Sequence, residues 1–479
     1  MHRTQFTRRW LAIAGMGFLM AGCGGNSRLA PSTMFPAADA VPDQQKIKHV
    51  IIIVQENRNL NDLFYGYSGA MTQSYGYDSD DKKVNLKPIS LATKWDMEHD
   101  GNGFLVSCDG TGKIVRGTDC RMNGFDKETC TPVAAPCPKS KYLAYSYVPH
   151  NETKPYFDMA RQYVLGDQMY ASDFDVSSFE SHQYIIAGVN PKSSVNYPLY
   201  GAPWGCAGGR SVRINILGKD REWPVGTERP CWDPPTLADE LDAAKKSWAF
   251  YAVAMKASGS GGKPCGGGLE GDGSATRSGI WSAYQAINHI CYGADWDQDV
   301  KPFSPPSKFL TDIGSGGLRA VTWITPTYAD SDHAGSNSAT GPSWIASIVN
   351  AVGESKYWDS TAIFIFWDDP GGWFDPEPPA YLKDSNYDGL GYRLPLLIIS
   401  PYAKQGYVSH THYEHGSILK FVEQTFRLGH LASSDTRANS PDDSFDFSQS
   451  PRKFVPIKAP YTSNYFISEP RDARPPDTD

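Results

Sequence analysis

The sequence predicts an α/β fold: a central, mostly parallel sheet flanked by helices, with loop insertions stapled by disulfides. Three observations predict it. Short apolar runs rich in β-branched and aromatic residues alternate with stretches of helical periodicity, the pattern of strands joined by helical crossovers. Two of those runs end abruptly in acidic or amide residues, Glu56-Asn57 and Asp368-Asp369; in open α/β sheets, ligands sit beyond the carboxyl ends of strands. Eight of the nine cysteines lie between 108 and 291, in sequence dense in glycine and proline.

The elements follow in order. Arg3, Arg8 and Arg9 precede an apolar stretch from Trp10 to Ala21 and then Gly22-Cys23, the layout of a secretory signal over residues 1–22. Met20-Ala-Gly-Cys23 resembles a bacterial lipoprotein box, which would make Cys23 the lipidated start of the mature chain. Residues 23–46, polar with Pro and Ala, would be the tether. Thr7-Arg-Arg-Trp-Leu resembles a twin-arginine signal, so the export route stays open. A plain transmembrane anchor is disfavoured because the apolar run is short. Lys48–Asn57 is a strand ending in polar residues. Residues 66–150, with few apolar runs and four cysteines, form an elaborate loop region. Tyr163–Met169 is a strand, Ser181–Val189 a helix and Gly201–Pro234 a second stapled loop region. Thr236–Lys246 is a helix with Leu237, Leu241 and Ala244 on one face. Ser247–Ala254 is a strand and Ala257–Gly273 a Gly/Ser-rich loop.

Leu318–Ile324 is a strand, and Pro342–Val352 a helix with Ile345, Ile348, Val349 and Val352 on one face. Thr361–Trp367 is a buried strand running straight into Asp368-Asp369 and a Pro-Gly-Gly turn. Pro395–Ser400 is a strand and Ser417–Leu428 a helix. Residues 47–431 are thus one elaborated domain. The polar, Pro-containing tail 432–479 is expected to wrap the surface or to be partly disordered.

Composition narrows the function. The chain has 479 residues, 40% hydrophobic and 13% aromatic, ample for a large core. Its formal charge is −8, and −11 without the three arginines of residues 1–22, which hold no acid. An acidic chain lacks the electrostatic footprint for nucleic acid. It would repel anionic substrates unless a cation intervenes. With Cys23 set aside for lipid, eight cysteines suit four disulfides in an exported protein. They show neither CxxC nor zinc-ligand spacing; Cys206–Cys231 and Cys265–Cys291 are plausible local pairs.

The acidic pair at the end of a buried strand is costly without a cation or hydrogen-bond donors. If the strands ending at Glu56-Asn57 and Asp368-Asp369 are neighbours, three carboxylates and an amide oxygen converge at one point, a donor set for a divalent ion. Gly371 and Gly372 would let the turn approach that point closely.

Five blocks, in order, resemble a known family: His49-Val-Ile-Ile-Ile-Val-Gln-Glu-Asn-Arg58, Ser178-Phe-Glu-Ser-His-Gln-Tyr184, Ser331-Asp-His333, Trp367-Asp-Asp-Pro-Gly-Gly-Trp373, and Arg393–Pro401 followed by Val408–Glu423. From Lys48 to Leu428 the chain is similar to bacterial metal-dependent phosphoesterases that include phospholipases C and an acid phosphatase, of the alkaline-phosphatase-like superfamily. The resemblance implies one divalent ion on Glu56, Asn57, Ser178, Asp368 and Asp369. Calcium, magnesium or manganese is favoured by the oxygen donors; zinc and iron stay possible. It implies Ser178 as nucleophile, with Ser177 and Ser181 as rivals, passing through a phosphoserine. His333 would be general acid or leaving-group stabiliser, and His99 and His182 substrate contacts. His410, His412 and His415 are expected to be structural. Asp375-Pro376 stands where many members have Asp-His, and Pro370 and Glu180-Ser181 also depart from the pattern, which bears on substrate choice.

The expected function is therefore an exported phosphoesterase of phospholipase-C type, tethered to the cell envelope, acting on phosphate esters such as phospholipids. A phosphomonoesterase and a non-catalytic surface binding lipoprotein are the alternatives. A sulfatase is disfavoured, because no Cys/Ser-x-Pro-x-Arg motif lies near Ser178.

Overall fold

The computed structural model describes residues 45–110, 120–173, 177–189, 205–207, 213–216, 226–253, 265, 280–303, 305–379, 389–470, 472 and 474. The signal, the lipid-box cysteine and most of the 257–273 loop lie outside the described residues. Those described belong to the unit Phe35–Asp479.

Eight strands build the main sheet: β1 (His49–Gln55), β2 (Val164–Tyr170), β3 (Trp248–Tyr251), β4 (Val321–Ile324), β5 (Thr361–Trp367), β6 (Arg393–Ile399), β7 (Tyr407–Ser409) and β8 (Tyr413–Glu414). The spatial order is β3-β4-β1-β5-β6-β2-β7, with β8 also on β2. All pairings are parallel except the two made by β6. The predicted class therefore holds, with one reversed strand. β1 and β5 lie in the middle, and every residue of β5 is buried, as a central strand covered on both faces requires. Pro395 sits inside β6, where the register with β2 shifts between Leu394 and Leu396; a proline lacks the N–H a regular ladder needs.

The helices include α1 (Leu60–Phe64), α2 (Gly101–Asp109), α3 (Lys154–Gln162), α4 (Ser178–Ala187), α5 (Leu237–Ala243), α6 (Lys308–Ser315), α7 (Gly341–Gly353) and α8 (His415–Phe426). The four predicted helices are α4, α5, α7 and α8; α4 begins three residues earlier than its apolar periodicity suggests. β7 and β8 were not predicted: three and two residues long, they carry no period.

A large apolar cluster surrounds the sheet. Region 66–150 has a core of its own, with Trp95, Met97, Phe104, Phe125 and Tyr145 packed on Trp373, Phe374 and Tyr392. Disulfides Cys108–Cys120 and Cys130–Cys137 staple it. The two local pairs expected from sequence, Cys206–Cys231 and Cys265–Cys291, are formed. The tail is better packed than its polarity suggests: Phe445, Ile457 and Phe466 are buried in the main cluster, and Phe466 meets Trp344 of α7 edge to face.

Candidate active site

The parallel register of β1 and β5 sets the site. Gln55 pairs with Trp367, and Asp368 N–H donates to Gln55 O at 2.9 Å. Glu56 and Asp368 therefore leave the sheet side by side, and the convergence expected from sequence is present. Behind them the chain turns sharply. Asn57 adopts φ +57°, and Gly371 and Gly372 adopt +67° and +71°. A Cβ at Gly371 would run into the Asn57 carbonyl, so only glycine allows the two turns to touch.

Two groups of buried ligand-type side chains lie there. In the first, Glu56, His182 and Asp368 bring donor atoms within 4.8 Å of one another. His182 Nε2 is 3.2 Å from Glu56 Oε1 and 3.8 Å from Asp368 Oδ2. Asp368 Oδ1 accepts the Asn57 N–H at 3.0 Å, while Oδ2 has no hydrogen-bond partner among the described residues. Such a set fits a divalent ion, since buried carboxylates with an unsatisfied oxygen are expensive without positive charge. In the second group, Asp96, His99 and His333 meet. Asp96 Oδ2 is 3.9 Å from His99 Nδ1 and 3.7 Å from His333 Nδ1, and the two rings meet edge to face. Asn57 joins the groups: its backbone holds Asp368 and its side-chain nitrogen lies 2.5 Å from His99 Nε2.

Ser178 is the first residue of α4, the end at which the helix dipole favours an anion. Its hydroxyl donates to Asp369 Oδ2 at 3.0 Å; Asp369 Oδ1 accepts the Gly371 N–H at 2.9 Å. The rival serines are committed elsewhere: Ser177 donates to Glu180, and Ser181 to Asp368 O at 2.7 Å. His182, one turn after Ser178, sits among the carboxylates rather than apart from them.

Around this centre the supports are buried. Asp332 accepts from Tyr156 OH at 2.6 Å and Trp367 Nε1 at 3.2 Å, and burial pushes it up to about 7. Arg58 pairs with Asp62 at 3.0 Å and holds Asp332 O at 2.9 Å. Because β6 runs backwards, Arg393 arrives at the same edge and grips Asp375 with Nη2 at 2.8 Å; this acid stands at the point where the sequence departs from the family. His410 bonds Asp167 at 2.8 Å and His412 packs on Tyr170. His415 is the third of that trio, yet it lies against Asp368 and His182. Burial holds its imidazole down at about 4, so it is neutral there. Asp96 was missed by sequence reasoning; its only signal was its place in the block that carries His99. A small cleft beside His99 is lined by Glu98, Glu128, Phe104 and Tyr392.

The profile of the Phosphoesterase family matches residues 47–429. Hemolytic phospholipase C of Pseudomonas aeruginosa is 22% identical, over 88% of this chain and 59% of its own. Non-specific phospholipase C6 of Arabidopsis thaliana is 27% identical over 34% of this chain and 38% of its own. Phospholipase C B of Mycobacterium tuberculosis is 26% identical over 37% and 42%. The chain thus spans less than two thirds of the length of these relatives. A solved protein of the alkaline phosphatase superfamily from Vibrio parahaemolyticus is 10% identical, covering 88% of this chain and 76% of that one at a TM-score of 0.37, a likeness too distant to bear on activity. The match across most of the chain, on a sheet whose strand ends hold the family's blocks together, is decisive: the chain belongs to the Phosphoesterase family.

Proposed function

We propose that this protein is an exported phosphoesterase that cleaves phosphate esters through Ser178, acting first on phospholipid-type diesters. The observation that carries the reading is Ser178 Oγ at a helix N-terminus, bonded to Asp369 beside the Glu56–His182–Asp368 group. The relatives named phospholipase C support the ester class.

Glu56, Asp368 and His182 would hold a divalent ion, with Asn57, Asp369 and Ser178 completing the set the family likeness implies. When bound, such an ion supplies Lewis acidity and favours the serine alkoxide. A nitrogen among the donors moves the expected ion toward manganese, iron or zinc and away from calcium. Ser178 Oγ attacks phosphorus, its proton passing to Asp369 Oδ2, which already accepts its hydrogen bond. The bond from phosphorus to the leaving oxygen breaks, and that oxygen takes a proton from His333 or His99. The first amides of α4 meet the charge on the non-bridging oxygens. The headgroup stays on phosphorus, in a phosphodiester with Ser178; water attacks it, giving a proton to the histidine that lost one, and the headgroup phosphomonoester is released as the Ser178 oxygen takes its proton back from Asp369.

Four disulfides support export, and no helix of the described residues is long and apolar enough to cross a membrane.

Hydrolysis of p-nitrophenyl phosphate and p-nitrophenyl phosphorylcholine, each with and without chelator, tests the reading. Chelator-sensitive release from the choline ester is expected. Release from the monoester alone would make the protein a phosphatase, and silence on both would support the surface binding lipoprotein.

A further inference from the structure

We infer that the chain holds a second divalent-cation site, formed by Glu423, His430 and Asp435 with Glu240 beside them, which secures the far end of α4. The inference does not depend on the activity proposed above.

Glu423 is in α8, His430 in the loop after it, Asp435 in the short helix Ser434–Arg437 and Glu240 in α5. Donor atoms of the first three lie within 4.8 Å of one another. His430 Nδ1 is 3.3 Å from Glu423 Oε2 and 3.7 Å from Asp435 Oδ2. Tetrahedral bonds of about 2.0–2.2 Å place neighbouring donors about 3.3–3.6 Å apart; the Glu423–His430 pair lies at that spacing and the His430–Asp435 pair just beyond it.

The second observation is Glu240. It is 2% exposed, and neither of its carboxylate oxygens has a hydrogen-bond partner among the described residues. Glu423 Oε1 is in the same state. Burial and the charge of Asp435 push Glu240 up to about 8 and Glu423 up to about 9, Glu240 itself adding to the latter. With Glu240 buried in α5 and within electrostatic reach of Asp435 and Glu423, the three acids need more positive charge than one imidazole supplies. His430 is partly exposed, with 21% of its side chain open, which leaves a way in. One imidazole among carboxylates suits a first-row ion such as zinc.

The site has a structural consequence. Asp435 accepts the N–H groups of Ala432 and Ser433 at 3.3 and 2.6 Å. Ser433 Oγ donates to Ala187 O at 3.0 Å, and Ser434 N–H to Gly188 O at 3.0 Å. An ion here fixes that loop against the last turn of the helix that begins with Ser178.

The test uses the chain from Gly24 onward with its disulfides intact, stripped by chelator and dialysed against zinc. Bound zinc and the melting temperature are then measured. Wild type is expected to bind one more ion than His430→Ala. Zinc is expected to raise the melting temperature of Asp368→Asn by several degrees and to raise that of an Asp368→Asn, His430→Ala double variant much less. Glu423→Gln, nearly isosteric, serves as the second variant should His430→Ala fold poorly. Equal zinc content in wild type, His430→Ala and Glu423→Gln would overturn the site. So would Glu423→Gln melting higher than wild type at unchanged zinc content, the sign of a cluster that holds protons instead.

Discussion

Helix α4 has a histidine and carboxylates at each end, and the two ends differ in what else they hold. At its start, Glu56 and Asp368 lie at the tips of two adjacent strands beside His182 of the helix, with the Ser178 hydroxyl on Asp369. At its end, about 15 Å away by helix rise, Glu423, Asp435 and His430 gather on loops and helix flanks. The neighbouring hydroxyl there, Ser433 Oγ, donates to Ala187 O and Asp435. Both ends combine two buried carboxylates with one histidine, buried at the start and partly exposed at the end. On the reading proposed above, what would separate a reactive centre from a structural clamp is the Ser178 hydroxyl bonded beside the cluster and the helix N-terminus that carries it.

That comparison can be broken at several points. Ser178→Ala should lower turnover on the order of 10³-fold or more while leaving metal content and folding unchanged; steady-state kinetics with metal analysis would show it, and wild-type-like turnover would remove Ser178. Asp368→Asn should remove one ion and at least about 10²-fold of activity, whereas His430→Ala should leave turnover within a few-fold; if both variants lose activity equally, the division into reactive and structural ends fails.

Stability sharpens the contrast further. Asp375→Ala leaves the buried Arg393 guanidinium without its carboxylate, and should destabilise by about 3–5 kcal/mol in urea unfolding. A loss under 1 kcal/mol would mean that Arg393 finds water or another acceptor.

The smallest effect is a pH slope. Burial raises the Asp332 carboxyl to about 7 in the folded state, from 3.8. The native state therefore binds this proton more tightly than the unfolded chain. The group's contribution is fully present below the unfolded value and is lost as pH rises toward 7, at up to about 1.4 kcal/mol per pH unit. Asp332→Asn should flatten that part of the stability curve between pH 5 and 7; an unchanged slope would assign it to other groups.

The legibility of the two ends differs for the same physical reason. Glu56-Asn57 and Asp368-Asp369 could be found because each follows a continuous apolar strand, and the carboxyl edge of an α/β sheet is where ligands sit. Ser178 was reached through the family likeness, not through its local pattern. The place of His182 among the carboxylates depends on the entry angle of α4, which no spacing encodes. Asp96 comes from a short strand inside a disulfide-stapled region. Glu240, Glu423, His430 and Asp435 come from three helices and a loop with no common period. Strands β1, β5 and β6 were visible from their apolar runs and β2 from a shorter, interrupted one, while β7 and β8 exist only because β2 offers an edge to pair with.

The central claim is that Ser178 carries the phosphoryl group during turnover. The most direct test mixes the protein with excess p-nitrophenyl phosphorylcholine, quenches in acid within one turnover, and maps the adduct by peptide mass spectrometry. A phosphoryl-type adduct on the peptide bearing Ser178, absent from Ser178→Ala, is the predicted result. Turnover with no adduct on that peptide, or an adduct on Ser177 or Ser181 instead, would contradict it.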